Sequence, residues 1–400
     1  MKGKHMNVIF ISPHFPSHFY NFCARLKERG VNVIGIGDCA WENVSENCKN
    51  ALCDYKAVSS LKNYDEVYRA VAAYIAQYGR IDFVESENEY WLELDARIRT
   101  DFNITSGPKL EDMADMNHKS LMKKAYARAG VPTAKGTLPQ SLEDAAKFAD
   151  EIGYPVIVKP DQGVGATSTY KLHDYAELEN FWNTKDNSVT FIEEECVPGH
   201  VETFDGITDS HKNVLFCSSQ CLSASLMDVV NLGTDVISYT QAPGDDLRDA
   251  GERVLKEFDT RNKFFHFEFF RLDEDKEGLG KKGDIVGLEV NMRAPGGRIP
   301  DKMNFAYNTD VYTIWADSLI HDKCFMNSEF VRYISHIGRR YSNSYAHSRE
   351  EIRETWGHCI MEEMEVDPAL ANEMGDYAYL LEASSLEEMN AQANYIFERA

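Results

Sequence analysis

The first hundred residues alternate short apolar runs with amphipathic stretches, and this alternation limits the fold more than any other feature of the chain. Val8 to Ile11 reads as a strand, Phe19 to Arg29 as a helix closed by Gly30, and Val31 to Ile36 as a second strand stopping at Gly37 and Asp38. Tyr64 to Tyr78 reads as an amphipathic helix closed by Gly79, and Asp82, Phe83 and Val84 begin another strand. Strands joined through helices pair in parallel, because a parallel crossover needs a helix-length connection. The expectation is a Rossmann-like α/β layer. A dinucleotide is excluded at its first turn, Ser12-Pro13-His14-Phe15-Pro16-Ser17-His18, because no glycine lets backbone approach a pyrophosphate there. Asp38 stands where a ribose-binding acid would stand, but without that turn it has no nucleotide to meet. His14 and His18 read first as loop packing and capping groups, with a substrate contact as the alternative.

Gly107-Pro108 breaks the chain after this layer. A helix is expected from Met116 to Ala129, closed by Gly130 with Pro132 beyond, and another from Leu142 to Ile152, started by Ser141. The pattern then turns strand-rich: Val156 to Val158, Val189 to Glu194, Val214 to Ser218, Phe264 to Phe269 and Ile285 to Val290. Leu272 to Gly283 reads as a charged hairpin turn. Thr309 to Leu319 reads as a helix, with acidic helical stretches running on to Met364. A strand from Tyr377 to Glu382 and a final helix close the chain. The architecture expected is therefore α/β plus α+β.

Charge narrows the partners. Lys plus Arg number 42 against 65 Asp plus Glu, a net charge of -23, which repels nucleic acid and anionic membranes while permitting a local basic pocket. No apolar run has membrane-spanning length, and the start does not read as a secretory signal. Nine widely spaced cysteines with no close CxxC pair suit free thiols in a reducing cytoplasm, with Cys217 and Cys221 as small buried residues.

Three clusters carry chemistry. Lys159 ends a strand and precedes Asp161-Gln162-Gly163-Val164-Gly165-Ala166-Thr167-Ser168-Thr169, a loop able to offer N–H groups to phosphate oxygens. It is not a P-loop, and a glycine-containing turn is its plainer reading. Glu193-Glu194-Glu195-Cys196-Val197-Pro198-Gly199-His200-Val201-Glu202 follows a strand and by itself reads as a solvated acidic edge. The third cluster is less ordinary. In Phe264-Phe265-His266-Phe267-Glu268-Phe269-Phe270, Glu268 shares a strand face with His266, and a charge among aromatics needs a partner or a metal. Glu289, Asn291 and Arg293 alternate onto one face of the next strand. Two carboxylates and an amide oxygen are hard ligands suited to Mg2+, and Arg293 could grip a phosphate or carboxylate at two points; an ion-paired strand edge is the alternative.

In order and spacing these motifs resemble the ATP-grasp superfamily, its carboxylate–amine ligases including L-amino acid ligases, and more distantly biotin carboxylase. The resemblance covers the whole chain. It implies a pre-ATP-grasp domain over 1–108, a two-part ATP-grasp domain over 109–319 holding ATP between its halves, and a C-terminal extension over 320–400. It implies ATP contacts from Lys119, Lys159, Gly163, Val164 and Gly165, an adenine hinge at Glu194, Glu195 and Val197, and a ribose contact from Glu202. Magnesium, or Mn2+ in its place, falls to Glu268, Glu289 and Asn291. Arg293, with Lys159, becomes catalytic. Asp161 and Gln162 depart from the glycine-serine pattern common in relatives. The implied reaction is amide or peptide bond formation through an acyl phosphate, releasing ADP and phosphate. The substrates would be a small carboxylate and a small amine, amino acids or derivatives; a homodimer is the default assembly, left open by the sequence. A bicarbonate-activating carboxylase or carbamoyl-phosphate-type enzyme, and a non-catalytic ATP-binding protein, are the competing readings. Specificity is expected from the N-terminal loops, 218–233 and the segment after Gly297, with Arg298, Lys302, Arg339 and Arg340 as candidate carboxylate contacts.

Overall fold

The computed structural model describes residues 6–163, 168–222, 233–368 and 370–400. The N-terminal layer runs β1 (Asn7–Ile11), α1 (Tyr20–Glu28), β2 (Asn32–Gly37), α2 (Glu46–Ala51), β3 (Asp54–Ala57), α3 (Tyr64–Tyr78), β4 (Phe83–Glu85) and α4 (Leu92–Asp101). Its sheet has the order β3-β2-β1-β4 with every pairing parallel, as the alternation implies. Central β1 is buried along its whole length, because helices cover both of its faces.

The helix expected from Met116 to Ala129 is two helices, α5 (Met113–Asn117) and α6 (Lys119–Arg128), broken at His118, which is extended. The break has a cause far away in sequence. The Asp161 carboxylate accepts hydrogen bonds from Ser120 N at 2.8 Å and Ser120 Oγ at 3.0 Å, so it caps α6 from outside the helix.

A four-stranded antiparallel sheet follows, built from β5 (Gly136–Thr137), β6 (Val156–Pro160), β7 (Tyr170–Leu172) and β8 (Phe191–Glu195) in the order β5-β8-β6-β7. It is covered by α7 (Leu142–Ile152) and α8 (Tyr175–Thr184) around Ala145, Ala149, Val158, Leu178 and Phe181. Ser141 caps α7 by accepting from Asp144 N, as its position suggests.

The largest sheet contains β9 (Gly199–Thr208), β10 (Val214–Leu222) and β11 (Val236–Gln241), then, after α9 (Asp245–Leu255), β12 (Phe264–Leu272) and β13 (Ile285–Asn291). Two helices, α10 (Ile299–Tyr307) and α11 (Val311–His321), precede β14 (Tyr333–Arg339). The chain ends with α12 (Arg349–Trp356), β15 (Ile360–Glu365), α13 (Ala371–Met374), β16 (Tyr377–Ala383) and α14 (Leu386–Phe397). The eight strands order as β13-β12-β9-β10-β11-β14-β16-β15. Residues after 320 thus complete the sheet begun at residue 199.

The stretch up to Met364, expected as acidic helix, is mostly not helical. Only Arg349–Trp356 is helical in that stretch, and Tyr333–Arg339 and Ile360–Glu365 are strands. Buried Ile334 and Ile337 secure β14 between β11 and β16. β15 is one edge of the sheet, where Glu362, Glu363 and Glu365 blunt an open row of backbone groups.

Directly paired residues share a face in an antiparallel sheet. The pairs Thr203↔Glu268, Asp205↔His266, Glu268↔Glu289 and His266↔Asn291 therefore define one polar face. Phe204, Phe265, Phe267 and Phe269 fill the opposite face with Tyr126, Val254 and Met292. Each buried Phe contributes about 2–3 kcal/mol.

Candidate functional site

The polar face holds the expected magnesium residues side by side. Glu268 and Glu289 are cross-strand partners, and Asn291 follows two residues on. Tyr126 of α6 fixes the backbone beneath both acids, its hydroxyl donating to the Glu289 carbonyl at 2.9 Å and shared with that of Glu268 at 3.2 Å. This contact explains Gly287. A Cβ there would meet the Tyr126 ring at 2.4 Å, so any larger residue would push α6 off the strands.

Electrostatics single out the same face. His266 Nδ1 is 2.6 Å from Asp205, and its Nε2 is 3.2 Å from Glu268. Burial alone would lower the imidazole pKa, but Asp205 and then Glu268 overcome it and raise it to about 9. The imidazolium in turn holds Glu268 below the ordinary carboxylate range against the burial that opposes it. Glu289 goes the other way. Burial pushes its carboxyl up, Lys119 at 3.3 Å opposes that, and neighbouring Glu268 adds to it. Two half-buried oxygen acids that repel each other, with an amide oxygen alongside, fit a hard divalent cation such as Mg2+.

Lysines approach from α6 and from β6 of the smaller sheet. Lys119 Nζ reaches Gly163 O at 3.3 Å as well as Glu289, and Lys159 Nζ lies 2.7 Å from Glu194. Lys123, from α6, pairs with Glu194 on its other side at 2.5 Å. Burial would raise the Glu194 carboxyl, but the two ammonium groups pull it down to about 2. Glu195 accepts from Lys135 N at 2.7 Å. Val197 packs with Ala134, Leu272, Leu279 and Val286, an apolar lining beside these charges. Asp161 turns toward α6 and not toward the lysines, so the departure from the glycine-serine pattern puts no acid among the phosphate-binding candidates. Val164 and Gly165 lie outside the described residues.

Arg293 follows β13 and meets residues from the N-terminal layer. It pairs with Glu89, and Ala294 N donates to Glu87 at 2.8 Å. Glu87 is buried in a left-handed conformation with φ 52, and burial raises its carboxyl to about 8 against the pull of Lys263. Strained, buried acids of this kind gather at functional sites. Sequence reading missed Glu87, Glu89, Tyr126, Lys123 and Asp205. The available signal was the Glu85-Ser86-Glu87-Asn88-Glu89 run just past a parallel strand's carboxyl end, where α/β layers place ligand contacts.

Other candidates stand apart. Glu202 pairs with Phe269 and so lies on the opposite face from Glu268, held by Arg271 at 2.9 Å. There, ligand atoms of His200, Glu202 and Cys221 lie within 4.8 Å of one another, but Arg271 already balances Glu202 and Asp273 holds His200 at 2.8 Å. Arg339 donates to the carbonyls of Ile396 and His347, and Arg340 to those of Thr234, Ala371 and Asn372, so both bind backbone. Arg298 is paired with Asp301 and Glu362. His14 faces Asp38 at 3.6 Å, and burial with Arg298 pushes buried His18 down to about 4. Residues 223–232 of the expected specificity segment lie outside the described residues. All nine cysteines are free, Cys221 buried and Cys217 partly so, and no helix among the described residues is long and apolar enough to cross a membrane.

Comparison with known proteins bears on the fold and on part of the sequence. The family described as carbamoyl-phosphate synthase L chain, ATP binding domain, matches residues 118–257. The crystal structure of an L-amino acid ligase from Bacillus licheniformis superposes with a TM-score of 0.73 at 15% identity, covering 98% of this chain and 96% of that one. The whole chain has the ATP-grasp fold, and residues 118–257 match that ATP-binding domain in sequence. In sequence it is 24% identical over 269 residues to an L-arginine-specific L-amino acid ligase of Bacillus subtilis, matching 63% of this chain and 60% of that protein. It is also 25% identical over 194 residues to the carbamoyl phosphate synthase large chain of Thermus thermophilus, covering 47% of this chain but 18% of that protein. The chain thus spans less than two thirds of these curated relatives' length. The ATP-grasp α/β and α+β architecture, with its Rossmann-like N-terminal layer, matches the expectation from sequence.

Proposed function

We propose that this chain is an ATP- and magnesium-dependent ligase that joins a carboxylate to an amine through an acyl phosphate. The observation that carries it is the meeting, on one sheet face, of Glu268, Glu289 and Asn291 with Lys119, next to Lys159 and Arg293. Plain ATP binding does not need that complete set. In this reading residues 1–108, 109–319 and 320–400 serve as pre-ATP-grasp domain, grasp domain and C-terminal extension.

A carboxylate reacts poorly with amines because its leaving group would be oxide. Phosphorylation makes that oxygen a good leaving group, and the protein's task is positioning and charge balance. Lys119 and Lys159 hold the phosphates once their present partners Glu289 and Glu194 share them. Bound magnesium supplies charge neutralisation at the phosphate oxygens, and Glu268, Glu289 and Asn291 are the residues that hold it. Arg293, released from Glu89, balances the oxyanion that forms when the amine attacks. The apolar lining around Val197 suits an adenine ring. The relatives named as L-amino acid ligases support amino acids or derivatives as substrates.

The test is phosphate release from Mg-ATP across pairs of amino acids and related acids, with bicarbonate in a separate arm. Release that requires both a carboxylate and an amine, with a product mass equal to both minus water, is expected. Release driven by bicarbonate alone would move the chain to the carboxylase class.

A further inference from the structure

The polar face does not end at the magnesium residues. It continues through β9 and β10 to β11 and β14, beneath α10, where a sheet–helix interface is ordinarily apolar. Ser218 pairs with Asp205, and Gln220 N donates to Thr203 Oγ1 at 2.9 Å. Gln220 and Ser218 are fully buried, and the Gln220 Nε2 atom is unpartnered among the described residues. Thr240 donates to Gln220 Oε1 at 2.9 Å, which fixes the amide with its N–H groups turned away from Thr240.

Lys302 reaches this strip from α10. It is 1% exposed, and its Nζ has one hydrogen bond, 2.9 Å to the neutral Ser238 Oγ. Among the described residues it enters no ion pair. Ser238 pairs with His336, whose Nε2 donates to Met374 O at 2.8 Å while Nδ1 is unpartnered. An ammonium has three N–H donors, and burying it against one hydroxyl is costly. Asp205, the acid whose charge favours the Lys302 ammonium, already serves His266 and Thr203. The unfilled N–H groups of Lys302 and Gln220 outnumber the one bare nitrogen acceptor beside them, His336 Nδ1, and an anion would fill them.

We propose that Lys302, Gln220 and Ser238 form a subsite for a second carboxylate of the substrate, distinct from the carboxylate that is activated. This rests on the ligase reading above. β11 lies three strands from β12, about 14 Å of sheet. The second carboxylate therefore belongs on an extended substrate and not on a two-carbon diacid. Burial lowers the Lys302 ammonium to about 7, opposed by Asp205 and Cys221, while His336 and Arg298 add no negative charge nearby. A bound carboxylate restores that proton.

The experiment uses the full chain, a ladder of straight-chain diacids and the matching half-amides, with Mg-ATP and an amine. Wild type should prefer a diacid over its half-amide by about tenfold or more in kcat/KM, the worth of one charge-assisted hydrogen bond. Lys302→Met should erase that preference by raising the diacid KM while leaving the KM for ATP unchanged. Calorimetry in two buffers at pH 8 should show proton uptake on diacid binding by wild type and none by the variant. If Lys302→Met does not fold, Gln220→Met should lower the same preference. Equal use of diacid and half-amide by wild type, or a preference that survives Lys302→Met, would overturn the subsite. Diacid binding with proton uptake but no phosphate release would sustain the subsite and sink the ligase reading, so the two failures are distinguishable.

Discussion

The two faces of β12 share a backbone and almost nothing else. Phe265, Phe267 and Phe269 point into the aromatic core beneath α6 and α9, while His266 and Glu268, one residue out of step, stand on the polar face with Asp205 and Glu289. One strand thus supplies stability on one side and chemistry on the other, with alternation as the only separator. The difference teaches that the site's acids are affordable because the opposite face is packed so fully with rings. Substitutions on the two faces should have separable effects.

The sharpest break of that symmetry is Glu289→Gln. Catalytic turnover of Mg-ATP with its substrates should fall about a thousandfold, while the unfolding free energy changes by less than about 1 kcal/mol. Denaturant titration beside steady-state assays reads both, and a variant that lost stability in step with activity would deny the division of labour. Phe267→Ala should do the reverse. It should cost about 3–5 kcal/mol of stability through the cavity it leaves, and what remains folded should retain KM values close to wild type.

Acid sharpens the comparison from the smaller sheet. The Glu194 carboxyl is depressed to about 2 by Lys159 and Lys123 against the burial that would raise it. Such a group stabilises the fold fully above its unfolded value near 4.5 and loses that contribution as pH falls toward 2. Glu194→Gln should flatten the pH dependence of stability in that window by about 3 kcal/mol, measured by urea unfolding at successive pH values. The smallest effect is expected from Asp161→Ala, which uncaps α6 and should cost about 1 kcal/mol. A larger loss of ATP affinity than of stability would mean that Asp161 serves the phosphates after all.

The period-2 alternation of residues 264–270, the Glu289-Asn291-Arg293 spacing and the parallel N-terminal layer were legible because each depends on neighbours in sequence. What escaped depends on residues far apart. Nothing local to Lys119 announces that Asp161 will start a new helix there, and nothing near Arg293 announces Glu87 and Glu89, which arrive from about two hundred residues earlier. The acids of Ile360–Glu365 looked helical because an edge strand tolerates the same charged residues as a solvated helix face. Glu202 sits in an acidic motif near the hinge, yet one step of strand alternation turns it to the opposite face.

The most direct measurement follows oxygen. Once a carboxylate substrate is found by phosphate release, it is supplied with its carboxyl oxygens labelled with heavy oxygen, and the released phosphate is weighed by mass spectrometry. Each phosphate should carry one labelled oxygen, because the activated carboxylate attacks phosphorus and later leaves its oxygen there. Unlabelled phosphate, released at the same rate as product, would contradict it.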